Sequence, residues 1–312
     1  MGGLRMLTVC AACVLAVSAW AAMPTPVLEW DVAASWDPDT GTVLNSGSLP
    51  AGLLKPMAGD AGSWADPPGW AGSPVDPARF GEPRYVPGGA GAGNRAYIDM
   101  EKYSWINLEG SSYTPKAAFG EAAGYTEIGY FYFSSGMEVL MNAGIGANHG
   151  WGNMDMFLYS AGSSPASPGR VLESSTVMYN PSTDRWWQKQ EALTVDGVEV
   201  IPRNAWIQFV KVNDLANQEI RYYVNGELVK TTTYTDDLTG YTFGSNGDII
   251  GMIGTGQRCM NGVGFSYLAA YDCVLTPEQI AASYAMLTTA VPEPATMTLL
   301  ALGGLAMLRR RR

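Results

Sequence analysis

The chain has 312 residues, a formal net charge of −10, a single histidine and an unusually glycine- and tryptophan-rich composition. Such acidity excludes nucleic acid as a partner, because phosphate recognition needs a basic footprint. With His149 the only histidine, the cysteines also lack the partners of a zinc site.

The N-terminus reads as a secretory signal peptide over residues 1–21. Arg5 precedes an apolar stretch from Met6 to Val17, and Ala19-Trp20-Ala21 forms a small-x-small cleavage site. Cys10 and Cys13 lie inside this segment and are removed with it. The working protein is then residues 22–290, more acidic still once Arg5 and the terminal arginines are discounted.

Short segments rich in β-branched and aromatic residues recur along it between Gly, Pro, Asn and Ser punctuation. Val27–Val32, Tyr97–Leu108, Tyr125–Phe133, Met137–Met141, Met154–Tyr159 and Val171–Tyr179 are expected strands. So are Trp206–Val212, Ile220–Val224, Glu227–Tyr234, Asp248–Ile253 and Val263–Tyr271. Many short strands argue an antiparallel sandwich or barrel. Residues 55–95 break the pattern with Pro67-Pro68, Gly88-Gly89, Gly91 and Gly93, and read as an ordered Pro/Gly-rich loop over one edge. Asn148-His149-Gly150-Trp151 reads as a turn. Asn225-Gly226 sits between two strands as a hairpin turn, because both positions of a tight hairpin favour positive φ; Asp196-Gly197 is a weaker version.

Cys259 and Cys273 survive signal-peptide removal, and an isolated pair in an oxidising compartment is expected to form a disulfide worth ~3 kcal/mol in the chain-entropy account. One helix is expected after Leu275. Thr276 caps it, Pro277 suits its first position, and Ile280, Tyr284 and Leu287 form an apolar stripe.

The last residues are tripartite. Val291-Pro292-Glu293-Pro294 is an extended recognition segment, followed by an apolar run from Ala295 to Leu308 and then Arg309, Arg310, Arg311 and Arg312. The apolar run is expected to engage the membrane as a transmembrane sorting tail, with the arginines on the cytoplasmic side. As a helix, however, its 14 residues reach only ~21 Å against a hydrocarbon core of ~30 Å. This order of parts resembles the PEP-CTERM sorting signal of Gram-negative bacteria. The resemblance implies processing by an exosortase and delivery to the cell envelope, outer surface or extracellular matrix.

A second resemblance rests on Trp206–Val212, then Ile220-Arg221-Tyr222-Tyr223-Val224-Asn225-Gly226, the Gly-containing Ile249–Gly254, the strand ending before Asp272, and Leu275-Thr276-Pro277-Glu278-Gln279-Ile280. This series is similar to the laminin-G-like, concanavalin A-like jelly-roll family. It implies an all-β, two-sheet antiparallel sandwich with one short C-terminal helix over residues 22–290.

Members of that family often hold calcium at the rim, which singles out Asp37 and Asp39 in Asp37-Pro38-Asp39-Thr40-Gly41; the alternative is an ordinary turn bonding its own backbone. Trp151, beside Asn148, Asn153 and Asp155, has the chemistry of a sugar platform, as do Trp186 and Trp187, of which one is expected to face outward. No pair of carboxylates on one strand suits glycoside hydrolysis, Glu127 and Glu138 standing singly, and no nucleophile elbow occurs. The expectation is therefore a non-catalytic module for adhesion or for binding exopolysaccharide or surface glycans. The alternatives are a purely structural matrix protein and a concanavalin A-like glycoside hydrolase or polysaccharide lyase.

Overall fold

A computed structural model describes residues 23–49, 52–58, 81–88, 95–102, 104–109, 122–139, 145–149, 152–159, 172–243, 249–253 and 260–289. The expected signal peptide therefore lies outside the described residues. The N-terminal third contributes β1 (Leu28–Asp31), β2 (Trp36–Asp37), β3 (Thr42–Leu44), β4 (Leu53–Ala58), β5 (Arg84–Val86), β6 (Tyr97–Met100) and β7 (Ser104–Glu109). The middle supplies β8 (Gly124–Val139), β9 (Ile145–His149), β10 (Gly152–Tyr159), β11 (Leu172–Asn180), β12 (Arg185–Ala192), β13 (Thr194–Val195) and β14 (Val198–Glu199). Then come β15 (Ala205–Asp214), β16 (Glu219–Val224), β17 (Glu227–Thr233), β18 (Thr242–Phe243), β19 (Ile249–Ile253), β20 (Met260–Tyr271) and the C-terminal helix Pro277–Thr288. A single helical turn, Val32–Ser35, follows β1, capped by the Asp31 carboxylate.

All pairings among the described strands are antiparallel. One run is β17–β16–β15–β8–β20, extended along β20 by β1 at one end and by β6 and β5 at the other. The other is β12–β11–β10–β9–β19–β7–β4–β3–β2. Met260 opposite Ser104 joins the two at a corner. The main core lies between them, with Trp30, Phe131, Phe133, Phe209 and Phe265 from the first sheet meeting Leu54, Ile106, Leu172 and Met178 from the second. The arrangement is a mostly-β, jelly-roll-like sandwich with one short C-terminal helix; the two runs are continuous through that corner, where two separate sheets and a transmembrane tail were expected.

The first sheet is buried on both faces. Phe131, Phe209, Tyr222 and Phe265 point into the sandwich, whereas Ile128, Tyr130, Val210, Val212, Tyr223 and Tyr271 point outward under the helix residues Ile280 and Leu287. Period-2 alternation therefore sorts residues between two apolar environments, which is why β15 is buried almost throughout.

Several sequence expectations change here. Tyr97–Leu108 is two strands, β6 and β7, while Tyr125–Phe133 and its continuation past Met137 are one 16-residue strand. His149 ends a strand and stands opposite Gly152. The loop expected over 55–95 contains the end of β4 and all of β5; Pro56 is tolerated in β4 because short β3 pairs only with Leu53 and Leu54, leaving no ladder partner on that side among the described residues.

Two covalent and membrane expectations are corrected. Cys273 is a free cysteine. The 12-residue strand Met260–Tyr271 lies between the two cysteine positions in the chain, and Cys259 itself lies outside the described residues. The transmembrane tail, and with it membrane attachment as a partnership, also falls. Among the described residues no helix is long and apolar enough to cross a membrane, and the C-terminal helix has 12 residues. The run Ala295–Leu308, where that tail was expected, lies outside the described residues.

Candidate functional site: an aromatic face on the central sheet

Register builds this face. Trp206 on β15 lies opposite Tyr132 on β8, Tyr132 opposite Gly264 on β20, and Gly264 opposite Asp99 on β6. The four positions form one row across four strands, on the outward side. Gly264 leaves the row open: a Cβ there would meet Trp206 Cη2 at 2.9 Å, Trp206 Cζ2 at 3.0 Å and the Tyr132 Cβ at 3.1 Å. The indole therefore lies down across β8 onto β20.

Around it, Tyr97 meets Trp206 edge-on at 4.9 Å, Tyr130 stacks at 5.4 Å and Tyr132 is tilted at 6.0 Å. Tyr130 is buried, but Trp206, Tyr132 and Tyr97 remain half-buried. The C-terminal helix is tied to this floor by Gln208, whose Nε2 donates to Ser283 Oγ at 2.6 Å. Asn225 fixes the neighbouring hairpin, accepting from the Gln208 N–H at 3.0 Å and donating its own N–H to the Gln208 carbonyl at 2.9 Å.

A charged rim borders the aromatics. Arg84 Nη2 donates to Asp99 Oδ2 at 2.8 Å and reaches Glu101 Oε1 at 3.5 Å. The hydrogen bond it donates to Asp99 raises the Arg84 pKa further, while burial first, and Asp99 second, raise that of the Tyr97 hydroxyl. Apolar ring surface beside charged and amide hydrogen-bonding groups is the chemistry that recognises sugar rings.

The residues singled out from sequence fare differently. Trp151 lies outside the described residues, as do Cys259 and the sorting-signal residues Val291, Pro292, Glu293, Pro294, Arg309, Arg310, Arg311 and Arg312. Trp186 is in β12, opposite Tyr179, but its side chain is outside the described set. Trp187 turns toward the main core: its ring centroid is 5.0 Å from that of Tyr234 and its Nε1 donates to Asp236 Oδ2 at 3.0 Å.

Asp37 and Asp39 form a turn. The Asp39 N–H donates to Asp37 Oδ1 at 2.9 Å and the Gly41 N–H to the Asp37 carbonyl at 2.9 Å. Hydrogen bonding from Thr40 lowers the Asp37 pKa. These oxygens are used on their own backbone, and among the described residues no group of three or more His, Cys, Asp or Glu is placed to hold a metal.

Glu127 has the raised carboxyl associated with general acids, pushed up to about 7 by burial and pulled back by Lys211. It is sealed inside the sandwich, however. Lys211 Nζ lies 3.9 Å from Glu127 Oε2, donates to the Ser175 carbonyl at 2.5 Å and sits 5.6 Å from the Tyr125 ring centroid. With Lys211 0% and Glu127 4% exposed, no polymeric substrate reaches this pair.

Residues 176–281 match the concanavalin A-like lectin/glucanases superfamily, and residues 290–312 match the PEP-CTERM protein-sorting motif. No curated protein matches the chain in sequence. Among solved structures, the chain is similar to the botulinum neurotoxin serotype G binding domain (10% identity, TM-score 0.47, 85% of this chain and 51% of that one). It is also similar to the binding domain of Paraclostridial Mosquitocidal Protein 1 (13%, 0.46, 84% and 52%) and to the botulinum neurotoxin serotype D ligand binding domain in complex with N-acetylneuraminic acid (10%, 0.44, 84% and 51%). The chain spans about half the length of these structures. The PEP-CTERM motif marks the chain for sorting to the cell envelope or extracellular matrix. By sequence the chain is thus similar to the concanavalin A-like lectin/glucanases superfamily over residues 176–281 and to the PEP-CTERM sorting motif over residues 290–312.

Proposed function

We propose that this chain is an exported, non-catalytic adhesion module that holds exopolysaccharide or surface glycan on the outward face of its central sheet. The observation that carries the reading is the half-buried trio Trp206, Tyr132 and Tyr97, kept open by Gly264 and edged by Arg84 and Asp99. Sugar rings offer apolar faces to such rings, and rim groups fix their hydroxyls. Contacts of this kind are individually weak, which suits a matrix protein displayed in many copies.

The test is a glycan array probed with the exported protein and with Tyr132→Ala and Trp206→Ala, each with calcium and again with a chelator. Binding that either substitution weakens about tenfold, a loss of ~1.4 kcal/mol, supports the assignment. Binding that both variants retain moves the site elsewhere, and chelator sensitivity returns attention to Asp37 and Asp39. Silence across a broad array overturns the glycan reading.

A further inference from the structure

The C-terminal helix is held in place to its last residue. Leu287 is fully buried, and the Thr289 N–H donates to the Ala285 carbonyl at 2.9 Å. The Thr288 hydroxyl donates to the Tyr284 carbonyl at 2.8 Å and the Thr289 hydroxyl to that of Ala285 at 2.6 Å. Its start is equally fixed: Thr276 and Gln279 form a capping box, and Leu275 is buried beneath it. Near Gly226, a Cβ would come within 3.3 Å of the Ala281 Cα, so the helix also packs closely on the hairpin turn. Little of this helix is free to act as slack.

The sorting-motif match begins at residue 290, one residue after this capped end, and Pro292-Glu293-Pro294 begins three residues after Thr289. Three residues at full stretch span at most about 11 Å. Any enzyme that grips the Pro-Glu-Pro segment is larger than that slack and has the folded domain within contact distance. The surface it meets is small and uncharged: Ala285 and Thr289 are exposed, Tyr284 and Thr288 half-buried, and the last turn carries no basic side chain. A close approach there requires no desolvation of charge.

We propose that the end of the C-terminal helix, around Tyr284, Ala285, Thr288 and Thr289, lies inside the footprint of the exosortase that processes the tail. The inference rests on the sorting reading of residues 290–312. Recognition then extends from the linear motif onto the folded domain, and the spacing between them is part of the signal.

Processing is followed in the native host by the C-terminal mass of newly exported full-length chain. Four forms are compared: the unsubstituted chain, Ala285→Arg, a flexible Gly/Ser spacer of about ten residues inserted between Ala290 and Val291, and both changes together. Arginine retains good helix propensity, so the helix persists while its exposed surface gains bulk and charge. With native spacing, Ala285→Arg slows processing roughly tenfold, the effect of one poorly accommodated contact. In the spacer background the same substitution has no effect, because the domain has moved out of the footprint. Native-rate processing of Ala285→Arg overturns the proposal, as does a defect that persists with the spacer. An unsubstituted chain recovered intact through Arg312 overturns the sorting reading itself, and this inference with it.

Discussion

Gly264 is the residue on which the aromatic face depends. It stands in mid-strand, where glycine ordinarily weakens a sheet, and the space it leaves is filled by the Trp206 indole. Gly264→Ala is expected to destabilise the fold by ~1–3 kcal/mol in urea unfolding, because a methyl at 2.9 Å forces the indole upward. Trp206→Leu in the same chain should recover part of that loss, a coupling that independent sites would not show. Glu127 makes a second residue-scale prediction. Its carboxyl is raised from 4.5 to about 7, so between those values the folded state keeps a proton that the unfolded chain has released. Its contribution to stability is fully present below about pH 4.5 and is lost as pH rises through about 7. The urea midpoint of the native protein should therefore fall between about pH 5 and pH 8. Glu127→Gln should flatten that dependence; an identical slope in both would rule out Glu127 as its source.

At the scale of elements, the C-terminal helix was the most legible part of the chain. Its capping box, its proline in the first turn and its buried Ile280 and Leu287 are all local features, readable within a dozen residues. Thr276→Ala should cost ~1 kcal/mol by thermal or urea unfolding, since it removes the acceptor for the Gln279 N–H. The Asn225-Gly226 turn was legible for the same reason, and φ values of 54° and 82° bear it out. The extent of β12 beyond Trp186-Trp187 was not legible because Arg185–Ala192 is mostly polar; pairing with Glu173–Asn180 of β11 orders it, and apolar patterning does not. The length of β8 was hidden by Ser134, Ser135 and Gly136, which read as punctuation but continue into a single strand. The candidate site was illegible for a related reason. Trp206, Tyr132, Gly264 and Asp99 are far apart in sequence, and only the register of β15, β8, β20 and β6 puts them in one row. Attention to tryptophans near polar residues instead selected Trp151, Trp186 and Trp187, of which only the Trp187 side chain is among those described; it lies against Tyr234 and Asp236.

For the whole molecule, the decisive feature is a central sheet covered on both faces, by the second sheet on one side and by the helix on the other. Such a sheet needs no covalent staple, because the area it buries is large relative to what a small secreted domain achieves. The expected disulfide failed for a reason visible only at this scale. The two cysteines are close in sequence, but β20 begins at Met260, runs through the sheet and ends at Tyr271, before Cys273, whose thiol burial raises in pKa. A partly buried thiol with a raised pKa carries little thiolate and is slow to exchange or oxidise, even in an oxidising compartment. Maleimide labelling of the denatured exported protein should therefore modify Cys259 and Cys273 to the same extent with and without prior reduction. The thermal midpoint should likewise be unmoved by reductant. Loss of labelling at both positions in the unreduced protein, together with a midpoint that drops on reduction, would show that the chain closes this loop after all. That result would require β20 to be broken rather than continuous from Met260 to Tyr271, and the row that places Gly264 beneath Trp206 would be lost with it.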